Sequence, residues 1–148
     1  METLDELDYK LLDLLQKNAK APTKYLAAEI GLSVTPTFER IKRMERFGII
    51  KGYTISLDKS KIGKGLRVLC QVSLTEHKEE LITLFEKEIK LLEEVTECMH
   101  IAGNFDYLVI AEVKDIQAYE FFLKQKLAKL VAISNVQSSF VLGTPVSK

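Results

Sequence analysis

"GLSVTPTFERIKRMERFGII", Gly31 to Ile50, decides how the N-terminal third of the chain is read. It interleaves Arg40, Lys42, Arg43 and Arg46 with apolar side chains and places glycines at positions 31 and 48. Thr37, Ile41 and Met44 fall at helical spacing on one face. Ser33 suits an N-cap. Pro36 lies in the first turn, where backbone N–H groups have no intrahelical partner to lose. Gly48 suits the position just past a helix end. The stretch therefore predicts a helix opened by Ser33 and closed before Gly48.

Working upstream, Leu4, Leu7, Leu11, Leu14 and Leu15 mark one face of a first helix. The break at Asn18 to Pro22 leads to a short second helix over Pro22 to Ile30, with Pro22 at its first position and Leu26, Ala27 and Ile30 on its buried side. A small residue at the helix crossing (Ala27) and a glycine at the turn (Gly31) are what a helix–turn–helix needs. With Thr37 and Ile41 packed inward, Thr35, Phe38, Glu39, Lys42 and Arg43 face outward. An outward Phe suits a thymine methyl or a sugar. Arg43 and Lys42 suit guanine edges or phosphates, and Glu39 suits a cytosine amino group. Ser33, Thr35, Thr37, Phe38, Glu39, Arg40, Lys42 and Arg43 make up the candidate DNA-binding set. The competing reading is a solvated helix laced by an i,i+4 pair such as Glu39–Arg43, a contribution of ~0.2–0.5 kcal/mol.

The charge distribution favours the first reading. The 148 residues carry no net charge. Residues 1–64, however, hold 12 Lys and Arg against 9 Asp and Glu, and residues 65–148 hold 9 against 12. Phosphate binding responds to local charge more than to totals. No apolar run approaches the ~20 residues of a membrane span, and "METLDELDYK" is too acidic for a signal peptide. Two cysteines, Cys70 and Cys98, give no disulfide framework and no ligand pair. A cytoplasmic protein without metal or cofactor is the expectation.

Downstream, Tyr53 to Leu57 reads as a short strand within a turn-rich connection. This gives residues 1–51 as the DNA-binding domain, 52–64 as linker strand and hinge, and 65–148 as a second domain. Leu66, Val68, Cys70, Val72 and Leu74 alternate as a half-buried strand. Glu79 to Leu92 is helical, with Leu81, Leu84 and Phe85 on one side. Val95 to Ala102 and Phe105 to Val113 are strands joined by the Gly103-Asn104 turn. Ile116, Tyr119, Leu123, Leu127 and Leu130 repeat at helical spacing, and Ile133 to Leu142 is a last strand. The order β-α-β-β-α-β is the ferredoxin-like arrangement. The fold class is therefore α+β, with an N-terminal helix-turn-helix (winged-helix-like) domain and a ferredoxin-like βαββαβ domain. Strand 105–113 is apolar on both faces, and a second subunit is the economical cover for the face without helices. His77 and His100 have no carboxylate cluster at ligand spacing, so structural or surface roles are expected. Cys70 and Cys98 read as small core residues.

Three stretches carry a family resemblance: "LDELDYKLLDLLQKNAK" (4–20), "GLSVTPTFERIKRMERFGIIKGYT" (31–54) and "LEEVTECMHIAGNFDYLV" (92–109). Together and in this order, the chain resembles the leucine-responsive regulatory protein (Lrp/AsnC) family. The resemblance implies a transcription factor that binds double-stranded DNA. Its C-terminal domain would sense a small amino-acid effector and form homodimers that assemble to octamers or related discs. It places the effector between dimers, near Gly103, Asn104, Asp106, Ser139 and Val141. Physically, the Gly103–Phe105 turn can offer N–H groups to a carboxylate, and Asp106 can accept from an ammonium; a plain turn with Asp106 on its own backbone is the alternative. Departures are Leu130-Val131-Ala132-Ile133 in place of a Leu-Pro-Gly-Val turn, and Ser139 where an aromatic residue is frequent. They leave the effector's identity open. Two other functions stay in view: a tetrapyrrole decarboxylase on the same architecture, using His100, and an architectural protein that wraps DNA without a ligand.

Overall fold

The computed structural model describes residues 3–145; the expected domain limits at 1 and 148 lie outside them. The chain divides into two compact units, Met1–Ser56 and Leu57–Lys148.

In the first unit α1 spans Glu6–Lys17, α2 Thr23–Ile30 and α3 Val34–Arg46. Asp5 caps α1 and is reciprocated by Asp8, the Asp5 side chain accepting the Asp8 N–H and the Asp8 side chain the Asp5 N–H. Pro22 is the N-cap of α2 rather than its first residue, with an extended ψ of 140°. Gly31 ends α2 in the left-handed region at φ +71°, and Gly48 follows α3 at φ +69°. Leu11, Leu15, Leu26, Ile30, Ile41 and Met44 form the small core. Ala27 is buried where α2 meets its neighbours. Among the described residues this unit has no strand. Tyr53 to Leu57, expected as one, is irregular and exposed, because its alternating apolar side chains find no strand to pair with.

The second unit is a four-stranded antiparallel sheet in the order β2-β3-β1-β4. Its elements are β1 Leu66–Leu74, α4 Glu79–Ile89, β2 Val95–His100, β3 Tyr107–Val113, α5 Ile116–Gln125 and β4 Ile133–Phe140. α4 and α5 cover one sheet face. Phe85, Ile89, Tyr119 and Phe122 pack there on Val68, Cys70, Val72, Tyr107, Val109 and Ala111. The inward side of α4 is Ile82, Phe85 and Ile89, so the expected Leu84 is exposed. The helical spacing of 116–130 breaks after Gln125, and Leu127 is buried from a separate 3-10 turn. Ile116 is exposed. Cys70 is buried as expected, whereas Cys98 on edge strand β2 is exposed. The opposite sheet face presents Leu69, Met99, Leu108 and Ile110 beside Gln71, Gln137 and Ser139. At its end the buried Glu112 accepts from Lys59 Nζ at 2.8 Å.

Candidate nucleic-acid interface and effector site

α3 is built with three sides. Its buried side is Thr37, Ile41 and Met44. Thr37 is fully buried and its Oγ1 donates to the Ser33 carbonyl at 2.9 Å, so it stabilises the first turn and is not a surface contact. Ser33 is the N-cap residue, but its side chain makes no cap hydrogen bond.

The outward side carries Val34, Thr35, Phe38, Glu39 and Lys42, all exposed. Phe38 is 45% exposed with Lys42 Nζ 5.6 Å from its ring centre. Lys42 also donates to Glu45 at 2.7 Å, and the Tyr53 hydroxyl donates to the other Glu45 oxygen at 2.8 Å. The Lys42 ammonium, then the Tyr53 hydroxyl, holds the Glu45 carboxyl below its usual range. Val34 was outside the expected set; an apolar residue in the first turn, four positions before Phe38, was the available signal.

The third side corrects the expectation for the arginines. Arg43 does not project outward with Phe38 and Lys42. Its Nη2 donates to Asp8 Oδ2 at 2.5 Å. Arg40 Nη1 bridges Asp5 Oδ2 at 2.7 Å and Asp8 Oδ1 at 2.8 Å. The Asp8 carboxylate is fully buried. Both guanidiniums thus lie back on α1. Hydrogen bonding to Asp8 and then Asp5 raises the Arg40 pKa further, and Asp5 is lowered by the Asp8 N–H and then by Arg40.

In the second unit, Gly103 occupies a φ of +150° in the β2–β3 connection, which fits a residue without a side chain. Asp106 is already engaged. Its Oδ2 accepts the Leu74 N–H at 2.7 Å and its Oδ1 accepts from His77 Nε2 at 2.7 Å. The Leu74 N–H, ahead of the His77 contact, holds the Asp106 carboxyl below its usual range. His77 therefore has one carboxylate partner in a surface pair, and His100 stacks on Tyr107 at 4.7 Å. Asn104 is exposed in the same turn. Ser139 and Val141 lie elsewhere. Tyr107 and Val136 flank Val72, whereas Ser139 flanks Leu69 from the far edge of the sheet. Two strand spacings and three residues of rise separate Ser139 from the start of β3 by about 14 Å. One chain does not gather the five expected effector residues into one pocket.

A basic flank on a helix–turn–helix, followed by a βαββαβ module with a glycine turn, defines a class: a helix–turn–helix transcription regulator with a ligand-binding domain. Residues 4–45 match the AsnC-type helix-turn-helix domain and residues 67–148 the Lrp/AsnC ligand binding domain. The chain belongs to the Lrp/AsnC family of transcriptional regulators. It is 34% identical over 141 residues to the leucine-responsive regulatory protein of Haemophilus influenzae, covering 95% of this chain and 85% of that one. To the Escherichia coli K12 leucine-responsive regulatory protein it is 33% identical, covering 94% and 85%. A Neisseria meningitidis transcriptional regulator solved as its L-Met complex superposes with a TM-score of 0.94 at 30% identity, covering 98% of this chain and 94% of that one. An AsnC family regulator from Agrobacterium tumefaciens gives 0.92 at 33% identity, covering 97% and 94%. Among the described residues no helix is long and apolar enough to cross a membrane.

Proposed function

We propose that this chain binds specific double-stranded DNA sequences through α3, and that its C-terminal domain binds a small amino acid and mediates homo-oligomerisation. The observation that carries the DNA reading is the exposed side of α3. Val34 and Phe38 are exposed one turn apart with Lys42 over the Phe38 ring, and a major groove offers thymine methyls to the apolar pair and phosphates to the lysine. Val34, Thr35, Phe38, Glu39 and Lys42 are the reading set, with Arg40 and Arg43 on the flank.

The amino-acid reading is supported by the Gly103 turn and by the L-Met complex of the Neisseria meningitidis relative. Asp106 serves that site by ordering the turn, since both of its oxygens have partners within the chain. The wide spacing of Ser139 and Val141 from the turn fits a ligand held between protomers. The partly apolar sheet face around Leu69, Leu108 and Ile110 supports a dimer, with an octamer as the expected larger assembly.

Two experiments test this. Selection from randomised duplexes with the full chain should return a near-palindromic site, with half-sites about 34 Å apart; recovery of no preferred sequence overturns the DNA reading. A thermal screen of the twenty amino acids should raise the unfolding midpoint for one class of them. At 100 times its Kd a ligand stabilises by about 2.7 kcal/mol. No shift with any amino acid overturns the effector reading.

A further inference from the structure

We propose that Asp8 is a positioning residue for DNA binding: it holds the Arg40 and Arg43 guanidiniums on the α1 side of α3, where they grip backbone phosphates of duplex DNA instead of reading base edges. The proposal rests on the DNA-binding reading above and assigns that site's division of labour.

At 100° per residue, Arg40 and Arg43 fall between the buried side of α3 (Thr37, Ile41, Met44) and the side bearing Thr35, Phe38 and Lys42. With Pro36, Glu39 and Arg46 they line a shallow groove along that flank. A base-reading arginine projects into the groove of the duplex from the outward side of its helix and presents two parallel donors to O6 and N7 of guanine. Arg43 instead commits Nη2 to Asp8 at 2.5 Å. Arg40 meets both carboxylates through Nη1 alone, so those two contacts leave its Nε and Nη2 unused. Phosphate recognition needs charge and donors at a fixed place on the rim of the interface, not at its tip.

Asp8 fixes that place. Its carboxylate is fully buried, and a buried charge persists only where it is paired and hydrogen-bonded. It accepts from Asp5 N–H, Arg40 and Arg43 together. The Asp5–Asp8 capping box fixes the carboxylate to the first turn of α1, so the arginines inherit the rigidity of a helix end.

The test uses the full chain and the duplex that the wild type selects, with Kd measured across a range of salt. Arg43→Ala should weaken binding by a similar factor on the selected site and on its single-base variants, and should make the salt slope shallower by about one. A changed base preference, or an unchanged slope, overturns the proposal. Asp8→Asn decides between positioning and simple charge. Removing an anion from a basic flank would by itself tighten binding and leave the slope as steep or steeper. Loss of positioning weakens binding and flattens the slope, and that is the expected result below the variant's unfolding transition. Tighter or unchanged binding overturns the proposal. If Asp8→Asn does not fold, Arg43→Lys keeps the charge and removes the fork; binding should then weaken uniformly across sites, and a base-specific change overturns the assignment. A wild type that selects no duplex at all fails the DNA reading itself, which separates the two failures.

Discussion

The Asp106 carboxylate accepts the backbone N–H of Leu74 at 2.7 Å, tying the β2–β3 connection to the end of β1. The pair lies beside the bulge where β1–β4 pairing shifts register between Ser73 and Leu74, a place where a ladder N–H needs a side-chain acceptor. Leu74 and Asp106 are 32 residues apart in sequence, so this closure is a tertiary feature of the ligand-binding domain.

Its acid dependence has a definite sign. Asp106 is held below its usual pKa, first by the Leu74 N–H and then by His77. A depressed carboxyl contributes stability that is present above the unfolded-state value, about 3.9, and is lost as pH falls through the lower folded value. Wild type should therefore lose stability over the acid range below about pH 4 more steeply than Asp106→Asn. Parallel urea titrations at successive pH values measure the difference, and identical acid profiles for the two proteins refute it.

Phe38→Ala should separate binding from folding. The side chain is exposed and outside the core, so stability should stay within about 0.5 kcal/mol. Site-specific DNA affinity should fall, with the loss concentrated at one or two base positions. Anisotropy titrations on single-base variants of the selected site provide the readout.

Leu11→Ala should act in the opposite way. Leu11 is fully buried in the small core of the first unit. Truncation there costs about 2–5 kcal/mol, a large share of what three short helices can supply. DNA binding should be lost at temperatures where the circular-dichroism signal of the ligand-binding domain persists.

Ala132 sits at φ +70°, the one non-glycine among the described residues with positive φ. The left-handed region costs a residue with a Cβ about 1–2 kcal/mol, and glycine returns part of that as backbone entropy. Ala132→Gly should stabilise the domain by roughly 0.5–1 kcal/mol, visible as a higher denaturation midpoint with unchanged m-value. A lower midpoint would mean that the alanine methyl makes a packing contribution larger than the strain.

The helices of the first unit were legible because each carries its own period and punctuation: Gly31, Gly48 and the Thr37-Ile41-Met44 stripe appear in the structure as read. The βαββαβ order was legible for the same reason, through alternation in β1 and a glycine turn after β2. What failed was whatever depended on distant partners. Tyr53 to Leu57 alternates like a strand, but a strand needs a neighbour, and local pattern cannot supply one. Arg43 reads as outward on a helical wheel because the wheel does not show its partner Asp8, 35 residues away on α1. The Asp-x-x-Asp spacing of Asp5 and Asp8 was a visible capping signal; the burial of Asp8 under two arginines was not. In the same way, His77 and Asp106 meet across 29 residues. Ser139 and Val141 entered through the family resemblance alone; the register of β4 sets Ser139 opposite Leu69 and the Val141 N–H donates to the Arg67 carbonyl, both away from the turn.

The central position of β1 has a consequence for biogenesis. β1 pairs with β3 on one side and with β4 on the other, and β4 follows every other strand of the sheet in the sequence. During synthesis, the flank of β1 that awaits β4 therefore stays open after the hairpin of β2 and β3 has formed. An unsatisfied strand flank is a template for foreign chains. A premature stop before Ile133 would leave that template permanently exposed, and such a fragment should accumulate in inclusion bodies or be captured by chaperones.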